Sequence, residues 1–248
     1  MALGFITNEN MKGQELVAKY QKIWDEYADT QINKSTPQNE DNLLDRGFVF
    51  EFDEGQKDID ILFVGINPSY TNGKSETLFY GKKDVASISY FKPFNYIIAE
   101  LQKNRENATD LTWSHLDMLV FRETQQSFIK DQLLQTEDGI QFIYKQLMIS
   151  RQILEYLKPK IIVVSNTAAR HFFGRDKYEV QGKKLGVWMG YDFEFDNNLG
   201  TDKIINNQNI NSHVFFTSML SGQRALDNGS KQRLIWHIEN IMNKTTKT

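Results

Sequence analysis

The stretch Ile59-Asp60-Ile61-Leu62-Phe63-Val64-Gly65-Ile66 limits the possible folds of this chain more than any other. It is apolar almost without interruption, so a strand built from it needs cover on both faces, as in a parallel sheet. Three further runs, Leu116–Phe121, Ile161–Ser165 and Val214–Thr217, have the same character. Helical spacings separate them: Phe94, Ile97, Ile98 and Leu101; Ile143, Leu147, Leu154 and Leu157; Leu234, Ile235, Ile238 and Met242. Strand–helix alternation predicts βαβ units with right-handed crossovers. The expected fold is α/β, a three-layer α/β/α arrangement around a central, mainly parallel four-stranded sheet.

The flanking sequence fits one domain over residues 1–248. Leu16, Tyr20, Ile23, Trp24 and Tyr27 share a helical face, and the polar, proline-containing INKSTPQNEDN after them reads as a loop. Residues 1–45 are thus expected to form an N-terminal helix and loop extension, with the core at 58–243. GFVFEF from Gly47 reads as a short edge strand, Leu185–Phe195 as a strand or hairpin, and the Asn-rich Asp196–Ser212 as a long surface loop.

Composition narrows the chemistry. With 29 basic and 32 acidic residues the formal net charge is −3, so nucleic acid would have to be met by a local patch rather than a broad basic face. The absence of cysteine excludes disulfides, a cysteine nucleophile and thiolate-held zinc or iron–sulfur clusters. The four histidines, His115, His171, His213 and His237, show no paired ligand spacing. No metal and no cofactor is expected. The N-terminal sequence lacks the charged start of a signal peptide, and no apolar run approaches the roughly 18 residues of a membrane span. A cytoplasmic monomer is expected.

Ligands of open parallel sheets bind at the carboxyl ends of the strands, so the residues after each apolar run are the candidates. The first run ends in Gly65-Ile66-Asn67-Pro68-Ser69-Tyr70. Glycine permits close backbone approach, proline fixes the turn, and Asn67 offers an amide to a water or a polar ligand atom; the plain alternative is an ordinary Asn-Pro turn. The same loop carries Tyr70, Phe79, Tyr80, Tyr90 and Phe91, aromatics able to stack on a planar base or to serve as core. Asp117 lies inside the second apolar run, where a carboxylate is costly unless donors meet it; it is either paired, with Arg122 for instance, or a ligand-facing acceptor. The fourth run leads into Ser221, Gly222, Gln223 and Arg224, followed by a helix bearing Lys231 and Arg233. These residues could offer backbone N–H groups and positive charge to a phosphate, or simply start a capped helix.

In order and spacing these segments resemble the uracil-DNA glycosylase superfamily, and most of all its mismatch-specific uracil/thymine branch. Gly65-Ile66-Asn67-Pro68-Ser69 is similar to that branch's Gly-x-Asn-Pro-Gly motif. TLFYG, with Phe79 and Tyr80, falls near the aromatic that stacks on the flipped base. YFKPFNYII resembles the aromatic-rich helix after it. HLDMLVFRET resembles the second strand, with Arg122 at the matching arginine, and KPKIIVVSNTAARHFFG the third strand and helix. The resemblance covers roughly residues 58 to 243. The closing motif departs from the family: where it has His or Asn followed by Pro-Ser, this chain has Met219-Leu220-Ser221-Gly222, and Gly of the first motif is Ser69.

The resemblance implies a DNA glycosylase. Asn67 would hold the attacking water, and Gly65, Ile66, Pro68, Ser69, Phe79, Tyr80, Asp117 and Arg122 would line the base pocket. Ser221, Gly222, Gln223, Arg224, Lys231 and Arg233 would contact DNA, duplex or single-stranded. With the His or Asn replaced by Met219, stabilisation of the leaving base would fall to Gln223 or Arg224. An amide orients water but cannot take its proton, so turnover would be slow. The family's Asn that reads uracil's edge aligns with Asp117; an ionised carboxylate only accepts, which suits the N4 amino group of a cytosine-type base better than O4 of uracil. A non-catalytic nucleic-acid or nucleotide-binding module on the same scaffold is the alternative, which the altered closing motif favours.

Overall fold

The structure is a computed structural model that describes residues 11–32, 43–70, 78–80, 89–103, 110–175, 178–180, 183–185, 188–222 and 224–245. Four strands run parallel: β2 (Ile61–Gly65), β4 (Trp113–Asp117), β5 (Ile161–Ser165) and β10 (His213–Thr217). Two more, β9 (Thr201–Ile204) and β8 (Phe193–Asp196), extend the sheet antiparallel beyond β10. The order is β4-β2-β5-β10-β9-β8. The sheet therefore has six strands, where the apolar runs indicated four. Of the added pair, β8 falls at the end of Leu185–Phe195, expected as a strand or hairpin, while β9 lies within the Asn-rich stretch expected to be a surface loop. The polar sequence of β9 gives no continuous apolar run, although the strand lies between β10 and β8 and is mostly buried.

Two small sheets lie outside the main one. β1 (Val49–Glu51) pairs in parallel with β3 (Leu78–Tyr80), and β6 (Tyr178–Val180) pairs with β7 (Lys183–Leu185). Helices cover both faces of the main sheet. Leu62 and Val64 point into a core shared with α1 (Gly13–Ile32), α4 (Glu137–Leu157) and α5 (Thr167–Phe173). Ile61 and Phe63, the alternate residues of the same strand, point into a second core with α2 (Lys92–Lys103) and α6 (Asn228–Thr245). That alternation between two apolar cores explains why β2 is fully buried along its length. A short helix, α3 (Ser127–Asp131), precedes α4. No helix among the described residues is long and apolar enough to cross a membrane.

The second apolar run leaves the sheet earlier than its composition indicates. β4 stops at Asp117, and Met118–Phe121 continues as buried, irregular chain. Its backbone polar groups are met by α4: Ser150 Oγ donates to Met118 O (2.7 Å) and Gln146 Oε1 accepts from Val120 N (2.9 Å). Two polar residues buried in a helix thus satisfy groups that would otherwise be unpaired. The consequence is positional: Asp117 ends a strand, at the carboxyl edge of the sheet.

Candidate functional site

From β2 the chain passes to β4 on one side and then crosses to β5 on the other, so the order reverses between β2 and β5. Crevices for ligands form at such reversals, beyond the carboxyl ends of the strands. A cleft of about 90 Å³ lies there, lined by Gly65, Ile66, Asn67 and Ser69 after β2, by Ser165 and Asn166 after β5, by Met219, Leu220 and Ser221 after β10, and by Tyr90, Glu123, Thr124 and Gln126.

The loop after β2 is pinned to the segment after β4. Glu123 N donates to Pro68 O (3.0 Å), Tyr70 N to Thr124 Oγ1 (3.1 Å) and Thr124 Oγ1 to Tyr70 O (2.8 Å). Asn67 Nδ2 donates to Glu123 O (2.7 Å) and to Pro68 O (2.9 Å). Both amide hydrogens are engaged with protein carbonyls, which fixes the flip of the group and leaves Oδ1 as an acceptor with no donor among the described residues. Glu123 is itself held, its carboxylate accepting from Arg46 Nη1 and Gln125 N, both at 2.6 Å. Arg46 and Arg122 both lie over the ring of Tyr70, at 4.7 and 5.4 Å from its centroid.

Asp117 is buried on the face that carries α2. A Cβ placed on Gly65 would lie 2.2 Å from Asp117 Oδ1, so the carboxyl occupies the space that any side chain at position 65 would need. His115, two residues earlier on the same face, has Nε2 3.8 Å from Asp117 Oδ1 and Nδ1 3.6 Å from Glu51 Oε2. These separations are too long for direct hydrogen bonds. His115 Nε2 and Asp117 Oδ1 have no hydrogen-bond partner among the described residues. Burial pushes the Asp117 carboxyl up to about 7 and the His115 imidazole down to about 3. The contact is close enough for an ion pair, but burial without hydrogen bonds drives both groups toward their neutral forms, so we read it as a neutral contact at low to neutral pH. Tyr90 stands over the row, its ring 5.6 Å from that of His115, and Ser221 lies beside it in the cleft lining. Although Tyr90 is 39% exposed, desolvation of its ring edge in the cleft, then the negative charge of Asp117, raise the phenol and keep it neutral.

Several residues expected at the site are brought together: Gly65, Ile66, Asn67, Ser69 and Ser221 line one cleft, with Pro68 in its loop and Asp117 directly behind Gly65. Others stand apart. Arg122 faces Tyr70 and the backbone oxygen of Arg46 rather than Asp117. Phe79 and Tyr80 belong to strand β3 rather than a loop, and their side chains lie outside the described residues, as does Gln223. Gly222 turns with φ +83° next to the cleft, while Arg224 and Arg233 are exposed and Lys231 sits 5.9 Å over the Tyr96 ring. The start of α6 is capped by its own chain: Asp227 Oδ1 accepts from Ser230 N (2.9 Å), so that first-turn donor is not offered to a phosphate.

Sequence reasoning passed over Glu51, His115, Glu123 and Asn166. Asn166 caps α5 through Oδ1, which accepts from Ala168 N (2.9 Å), and holds φ at 140°, a conformation that costs an L residue about 1–3 kcal/mol. A signal existed for two of these. The run IIVVSN ends in Asn as FVGIN does, and His115 and Asp117 stand two apart, on one face of a strand. Glu51 has no local signal, because only the approach of β1 to β4 brings it there. No group of three or more His, Asp or Glu among the described residues is arranged to hold a metal ion. Compared with known proteins, the chain matches no family model, and no curated protein is significantly similar to it.

Proposed function

We propose that the chain hydrolyses the N-glycosidic bond of a base flipped out of DNA, in the manner of the uracil-DNA glycosylases it resembles. The observation that carries this reading is Asn67. Its amide hydrogens are both engaged by carbonyls, so its Oδ1 is held as an acceptor at the sheet's reversal point. A water donating to that oxygen would have a lone pair directed into the cleft, toward the anomeric carbon of a bound nucleotide. As the bond breaks, its electron pair leaves with the base; the water oxygen bonds to carbon and its proton passes to the base or to solvent. Asn67 only positions, so the rate rests on orientation and on stabilising the departing base.

The test is incubation with duplex and single-stranded oligonucleotides carrying uracil, thymine in a mismatch, cytosine and 5-substituted cytosines, followed by alkali to reveal abasic sites. Strand breaks that disappear in Asn67→Ala support the reading. Absence of breaks with every base at high enzyme concentration defeats it. One observation favours the binding-module reading: Met219 lines the cleft where the family's His or Asn would stabilise the leaving base. That reading predicts retained affinity for oligonucleotides with no base release from any of them.

A further inference from the structure

Glu51, His115 and Asp117 are all buried and stand in one row, from β1 through β4 to the back of the cleft at Gly65. Buried polar groups that serve only the fold are almost always hydrogen-bonded. Here Asp117 Oδ1 and His115 Nε2 have no such partner among the described residues. The side chain that would cover Asp117 is missing, since position 65 is glycine and itself lines the cleft. On the other side stands Tyr90, also a cleft residue, packed edge-on against His115. Among the described residues, the groups facing Asp117 are therefore His115 on its own strand, Gly65 on β2, Tyr90 with Ser221 behind it, and Glu51 one step further. None is a cation to hold the carboxyl permanently ionised.

We propose that Glu51, His115 and Asp117 form one electrostatically coupled unit that sets the protonation of Asp117, and that the cleft's preference between amino-bearing and oxo-bearing bases changes with pH as a result. The inference rests on the glycosylase reading above and names the bases taken by that same site. As a carboxylate, Asp117 only accepts, and its natural partner is an exocyclic amino group such as N4 of cytosine. As a carboxyl it carries one donor and keeps an acceptor, which is the pair that O4 and N3–H of uracil require. Burial of the acid behind Gly65 brings its titration close to neutrality, up to about 7. Glu51 and His115 are positioning residues: they touch no base and act through Asp117.

The test is equilibrium binding, which does not depend on turnover. Oligonucleotides with a single 2′-fluorinated deoxycytidine or deoxyuridine, which resist hydrolysis, are titrated by fluorescence anisotropy from about pH 5 to about pH 9. The expected result is a cytosine-over-uracil affinity ratio that rises at least about tenfold across that range, with its midpoint near neutrality. Asp117→Asn should give a flat ratio favouring uracil. Glu51→Gln should keep the pH dependence with its midpoint displaced to lower pH, a change that loss of packing alone does not produce. Where Glu51→Gln does not fold, the carboxyl carbon resonance of Asp117 in the unaltered protein serves instead: titration in the ordinary carboxylate range overturns the proposal. A ratio independent of pH while both oligonucleotides bind overturns it and leaves the glycosylase reading standing. No affinity for either at any pH overturns both.

Discussion

One wall of the cleft and the buried row behind it are built on opposite principles. The wall formed by Gly65–Tyr70 and Glu123–Thr124 is saturated with hydrogen bonds, from Asn67 Nδ2 to Glu123 O and from Arg46 to the Glu123 carboxylate. The row behind Gly65 holds Asp117 and His115 with polar atoms buried and unmatched among the described residues. The first is preorganised: its groups keep their geometry whether or not a ligand is present. The second is incomplete, and a buried acceptor without a donor costs about 1–3 kcal/mol until something supplies one. On the proposed function, the first would position the attacking water and the second would read the base.

Removing the amide at the centre of the positioning wall should have the largest effect. Asn67→Ala is expected to lower base release about 10²–10³-fold with DNA affinity nearly unchanged, measured in single-turnover assays beside anisotropy. Equal activity would take Asn67 out of the mechanism. Next comes its support. Arg46→Ala leaves the buried Glu123 carboxylate without its cation and should cost about 3–5 kcal/mol in urea unfolding; a loss under about 1 kcal/mol would mean that this wall is held by its backbone bonds alone.

The buried row is probed by Gly65→Ala, which places a methyl against Asp117 Oδ1 and should cost about 1–3 kcal/mol. Adding Asp117→Ala should recover most of that loss; additive effects in the double variant would show that the two positions do not meet.

The pH dependence of stability should be shallow because two contributions oppose. Asp117 is raised from its ordinary 3.8 to about 7, so its share of stability is lost as pH rises through that window. His115 is depressed from 6.5 to about 3, so its share is present above 6.5 and lost as pH falls toward 3. Urea unfolding of Asp117→Asn should then rise with pH between about 3 and 6.5, and that of His115→Gln should fall between about 4 and 7, each by at most about 1.4 kcal/mol per pH unit. Profiles parallel to that of the unaltered protein would contradict the buried-row picture. The smallest effect lies outside both: with Arg224, Lys231 and Arg233 all replaced by alanine, the slope of log affinity against log salt should flatten by at most about 2.7. An unchanged slope would place the DNA path elsewhere.

The parallel core was legible in the sequence at Ile61–Gly65 and Ile161–Ser165, because short apolar runs bounded by turn residues suit strands covered on both faces. The sequence also placed Asn67 and Ser221 at strand ends, since strand ends follow from where apolar runs stop. Of the antiparallel pair, β8 closes the Leu185–Phe195 segment expected as a strand or hairpin, whereas β9 was not legible, because Thr201-Asp202-Lys203-Ile204 shares its polar composition with loops. Nor was the end of β4, because Met118–Phe121 stays apolar for packing against α1 and α4 rather than for the sheet. The meaning of Asp117 was only half legible. Its cost inside an apolar run is a property of the residue and its neighbours in the chain. That it meets His115, Glu51 and the bare face of Gly65, and not Arg122, is decided by contacts between strands far apart in sequence, and no local pattern encodes those.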